Sequence, residues 1–122
     1  MRKLIFIYNA NSGLGNLILD GAHKLMSPGT YECKLCKLTF GVLTENSIWK
    51  KFRKSADFEM EFLHKDEFER LYASKFGSKF TFPIVLLEAN MRLEVFVNTE
   101  EIDSLHDVES LIRLIKERQE LP

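Results

Sequence analysis

Two cysteines three residues apart, Cys33-Lys34-Leu35-Cys36, are the side chains of this sequence best suited to chemistry. That spacing serves a redox dithiol, in which one sulfur attacks a disulfide and the other resolves the mixed disulfide, or half of a zinc site. In the redox reading Cys33 is the nucleophile and Cys36 the resolving sulfur, and Lys34 and Lys37 favour a thiolate. A zinc site would have to draw on His23 and His64, neither of which stands at a diagnostic spacing. Incidental, structural cysteines are the third reading. No motif calls for an organic cofactor.

A second candidate is the polar turn Asn9-Ala10-Asn11-Ser12-Gly13-Leu14-Gly15, which follows a strand-like run and precedes a helix-like one. Strand, glycine-bearing turn and helix start direct free peptide N–H groups at one spot, which suits an anion. Asn9, Asn11, Ser12, Gly13 and Gly15 are therefore candidate ligand residues for phosphate, a nucleotide or another small anion. No Gly-Lys-Ser/Thr follows, so the turn lacks the phosphate lysine and magnesium hydroxyl of a P-loop. His64, at the end of the second strand read below, is a candidate acid/base or ligand contact, because open α/β sheets bind ligands at that edge. A tight structural turn and a surface histidine are the plainer alternatives.

The elements that must position these residues can be read from hydrophobic spacing. Lys3 to Tyr8 (KLIFIY) is apolar on both faces, as a central strand should be. Leu14 to Met26 has helical spacing and stops at Ser27-Pro28-Gly29. Tyr31 to Leu43, which holds both cysteines, is the least regular stretch. A helix is expected from Thr44 or Glu45 to near Ser55, with Trp49 and Phe52 as core. Residues 58–64 (FEMEFLH) alternate as a strand. Lys65 to Ala73 should be a helix with Phe68, Leu71 and Tyr72 facing inward. FTFPIVLL and RLEVFV form a hairpin around Glu88-Ala89-Asn90-Met91. Ser104, with Asp107 three residues later, is expected to cap a final amphipathic helix carrying Leu105, Val108, Leu111, Ile112 and Ile115. The first two strands should be parallel by the crossover rule and the last two antiparallel, which gives the order 4-3-1-2 with helices on both faces.

Proline-opened strand, hairpin, strand and helix is the closing order of a thioredoxin-like domain, and the chain resembles small bacterial proteins of that superfamily. The resemblance implies an α/β thioredoxin-like three-layer sandwich over residues 1–122 as one domain. It also implies a catalytic-edge role for Pro83, the position of the cis-proline in such proteins, with Cys33 and Cys36 as the redox pair. The pair departs from the pattern: thioredoxins carry it at the turn after the first strand, whereas here it comes about twenty residues later. Separately, KLIFIYNANSGLGN resembles the opening of diacylglycerol and other lipid kinases, whose Asn-Pro-x-Ser-Gly-x-Gly turn touches nucleotide phosphate. Asn9, Ser12, Gly13 and Gly15 match it, and Ala10 replaces the proline. The Gly-Gly-Asp-Gly segment of those kinases is absent, so kinase chemistry is not expected.

Composition narrows the partners. With 122 residues and a formal net charge of −1, the chain is sized for one core, and its charges are interspersed. That argues against nucleic acid, which wants a concentrated basic face. Apolar runs fall far short of the ~20 residues that span a bilayer, so no membrane partner is expected. Two cysteines do not make a disulfide scaffold, and a cytoplasmic location follows as the default. The partner would be a protein or a small molecule.

Overall fold

The computed structural model describes residues 3–9, 33–39, 45–73 and 80–119. The helix expected over residues 14–26 lies outside them. Numbered among the described residues, the elements are β1 (Lys3–Tyr8), α1 (Lys34–Thr39), α2 (Ser47–Ser55), β2 (Glu59–His64), α3 (Lys65–Phe68) with a π-helical turn Glu69–Ala73, β3 (Ile84–Ala89), β4 (Arg92–Val97), α4 (Thr99–Asp103) and α5 (Val108–Gln119).

The strands form one mixed sheet in the order β2-β1-β3-β4, the expected order counted from the other edge. β1 runs parallel to β2, with Tyr8 opposite His64, and antiparallel to β3, with Ile7 opposite Ile84. Alternation along β1 sends Leu4, Phe6 and Tyr8 into one apolar cluster and Ile5 and Ile7 into another. The first cluster takes Leu35 and Leu38 from α1, Trp49 from α2, Ile102 from α4 and Val108, Leu111 and Ile115 from α5. The second takes Leu63, Ile84, Leu86 and Phe68, with Tyr72, Phe80 and Phe82 packed against it. Trp49 is core, as its spacing suggests; its ring meets Phe6 edge-on at 5.4 Å.

Several boundaries differ from the sequence reading, each for a local reason. The cysteine stretch contains a helix, α1, with Leu35 and Leu38 on its buried side. α2 starts at Ser47 because the Asn46 side chain accepts the N–H groups of Ile48 (2.9 Å) and Trp49 (3.0 Å). The helix after β2 widens into a π turn, which keeps Phe68 and Tyr72 stacked at 5.5 Å while Leu71 turns outward and is 53 % exposed. The segment after β4 is two helices, not one. Asn98 and Glu101 close a reciprocal capping box on α4, and Asp107, not Ser104, caps α5 by accepting the Ser110 N–H at 2.9 Å.

A bulge makes that ending possible. Val85 faces Val97 while Leu86 faces Val95, so Phe96 is the extra residue on β4. Without it Val97 would share the face of Leu93, which packs in the second cluster; with it, Phe96 and Val97 both join the first. Arg118 of α5 ties the end down by donating to the Phe96 carbonyl at 2.6 Å and to both carboxylate oxygens of Glu101.

Two predictions follow from this frame. The hairpin turn shrinks to Asn90 and Met91, at φ 53° and 62°, where β-carbons are disfavoured. Met91→Gly should therefore raise stability by roughly 0.5–1 kcal/mol in chemical denaturation; a loss would contradict the turn assignment. The Glu101 carboxyl is held below its ordinary range, first by the Arg118 hydrogen bond, against an opposing burial effect, and further by the Asn98 N–H. A depressed folded value means the stabilisation is complete above the ordinary carboxylate range and disappears as pH falls through the folded value. Glu101→Gln should thus have a lower denaturant midpoint than the parent at neutral pH, and the gap should close below about pH 4.

Candidate functional site

The C-terminal end of β1 is where the candidate residues gather. The backbone N–H of Asn9, the first residue after β1, donates to Cys33 Sγ at 3.3 Å. Cys33 directly precedes α1, its carbonyl accepts the Lys37 N–H at 3.1 Å, and its sulfur accepts the Cys36 N–H at 3.3 Å. Cys33 thus lies against the residue that follows the first strand, 24 positions away in sequence. Distance along the sequence did not keep it from that edge.

Neither sulfur is in a disulfide; Cys33 is fully buried and Cys36 is 8 % exposed. The Cys36 thiol, hydrogen-bonded to Cys33 Sγ, is the chief influence holding the Cys33 thiol below its ordinary value; burial opposes it, and the peptide N–H groups of Asn9, Cys36 and Leu35 add to the lowering. This is hydrogen bonding to the charged form outweighing desolvation. Tyr8, buried beside the pair, is held above its ordinary value chiefly by burial and remains a neutral phenol. Thr39 Oγ1 donates to the Leu35 carbonyl at 2.9 Å, so in its 3.4 Å contact with the Tyr8 hydroxyl the phenol is the donor.

The other candidates border the same end. Pro83 is buried and stands one residue before Ile84, the partner of Ile7, and the Phe82–Pro83 bond is cis. His64 faces Tyr8 across the parallel pair, ring centroids 6.2 Å apart. The Glu67 carboxylate accepts from the His64 backbone N–H at 2.7 Å and lies 2.8 Å from its ring Nδ1, which places the ring proton there. Burial pushes the Glu67 carboxyl up, but the His64 backbone and ring contacts outweigh it and leave it below the carboxylate range. Lys65 Nζ reaches across from α3 to Asn9 Oδ1 at 3.3 Å.

Asn11, Ser12, Gly13 and Gly15 lie outside the described residues. Of the anion-turn candidates only Asn9 is described, and its N–H and side-chain oxygen are engaged by Cys33 and Lys65. Among the described residues no group of three His, Cys, Asp or Glu side chains could hold a metal ion, and no helix is long and apolar enough to cross a membrane. Sequence reasoning missed Lys65 and Thr39 at this edge. The acid three residues after His64 was a legible cap signal; no local signal marked Lys65 or Thr39. A scan of protein-family models returns no match, and searches of curated proteins and of solved structures return none either.

Removing the principal donor tests the electrostatics. The rate of Cys33 alkylation by iodoacetamide, followed against pH by peptide mass spectrometry, should have its midpoint below the ordinary thiol value of about 8.5, and Cys36→Ala should move it upward. An unchanged midpoint in Cys36→Ala would show that the Cys36 thiol does not stabilise the thiolate.

Proposed function

We propose that the chain is a thioredoxin-like thiol–disulfide redox protein working through Cys33 and Cys36. One observation carries the reading: Cys33 Sγ accepts the Asn9 and Cys36 N–H groups at 3.3 Å each, at the end of the central strand beside proline-led β3. A sulfur so surrounded is prepared to carry negative charge, and the thiolate is the nucleophile in disulfide exchange. The strand order and the crossover position of α1, between parallel β1 and β2, support the fold part of the reading.

The chemistry is a two-electron exchange. Cys33 thiolate attacks one sulfur of a substrate disulfide, the substrate S–S bond breaks, and its other sulfur leaves as a thiolate. Cys36, on giving its proton to solvent or to that leaving thiolate, attacks Cys33 Sγ. The mixed disulfide breaks, the second substrate sulfur departs, and the chain is left with a Cys33–Cys36 disulfide while the substrate is reduced. Cys33 is fully buried, so a substrate disulfide reaches its sulfur only when local opening uncovers it. A cytoplasmic setting would hold the resting pair as the dithiol.

Equilibration in glutathione redox buffers should yield an intramolecular Cys33–Cys36 disulfide, detected as loss of two titratable thiols and a linked peptide. Cys33→Ser should abolish it. Failure of the parent to form this disulfide at any buffer ratio would end the redox reading.

A further inference from the structure

We propose that Lys65 is a positioning residue for the Cys33 sulfur, acting through Asn9; this rests on the redox reading above. The path is continuous. Lys65 opens α3, where the Glu67 carboxylate accepts the His64 N–H at 2.7 Å and so holds the strand end from which Lys65 projects. From there its ammonium donates to Asn9 Oδ1 at 3.3 Å, across 56 positions of sequence. Asn9 is the residue whose own backbone N–H donates to Cys33 Sγ, again at 3.3 Å.

The physical effect comes from the direction of that N–H. Asn9 is half-buried and is the first residue past the last paired residue of β1, so it has paired backbone on one side only, and its N–H is held by Cys33 Sγ. Pinning its side chain limits the rotation of the residue and keeps its amide on the sulfur. A hydrogen bond to the charged form favours the thiolate only while its geometry holds. Lys65 thus connects the end of β2 to the reactivity of a cysteine it does not touch.

The test measures the pH dependence of Cys33 alkylation in the full chain, as above, for Lys65→Met, Lys65→Arg, Asn9→Ala and the Asn9→Ala/Lys65→Met pair. Lys65→Met should raise the midpoint by about half a pH unit, equivalent to a roughly threefold slower reaction below it. Lys65→Arg, which keeps a donor of similar reach, should restore most of that loss. Asn9→Ala should reproduce the shift, and adding Lys65→Met to it should change nothing further. Asn9→Ala reads the same contact should Lys65→Met fail to fold. A midpoint unmoved in both single variants overturns the proposal. So does a Lys65→Met shift that persists in the Asn9→Ala background, since the lysine would then act by charge alone. Disulfide formation by the parent in glutathione buffer judges the redox reading separately.

Discussion

Burial of β1 on both faces is the constraint from which the rest follows. Leu4, Ile5, Phe6 and Ile7 are all fully buried, and the strand has a hydrogen-bonded neighbour on either side. A strand in that position must have apolar cover above and below the sheet. α1, α2, α4 and α5 supply it on one face, and α3 with its π turn on the other. Its two ends are then the places where polar groups can meet the sheet's centre.

The two ends differ in chemistry. At the start of β1, Lys3 Nζ lies 3.0 Å from Glu61 and 3.2 Å from Glu88 and donates to the Tyr72 hydroxyl at 3.3 Å, while that hydroxyl donates to Glu61 at 2.7 Å. Burial works against the ammonium, but these contacts hold its pKa above the ordinary value, so the group remains charged and spoken for. That end is a closed structural network. At the other end the polar contacts converge on a sulfur, whose hydrogen bonds stabilise a nucleophilic form.

How much of this could be read in advance varies from residue to residue. KLIFIY was legible as a central strand because its apolar character is continuous, and Asn90-Met91 as part of a hairpin because a short polar break separates two β-runs. The final helix was misread at its start: Leu105 keeps helical spacing with Val108, yet the Asn98–Glu101 box closes a separate short helix first. The outward turn of Leu71 and the bulge at Phe96 leave no periodic signature, since each changes the phase of the pattern partway along an element. At the site, the cysteine pair and His64 were visible as residue types; Lys65 was not, because its contact depends on where β2 ends relative to Asn9.

The sequence by itself determined the strand types, the parallel and antiparallel pairings, the order of the sheet and the two cysteines as candidates for chemistry. Those properties rest on local spacing and on connection lengths. Only the tertiary structure decided that Cys33 lies against Asn9 and that Lys65 reaches the same residue. Hydrogen bonds between residues 24 and 56 positions apart are set by how the elements pack, and no periodicity in the chain encodes that meeting.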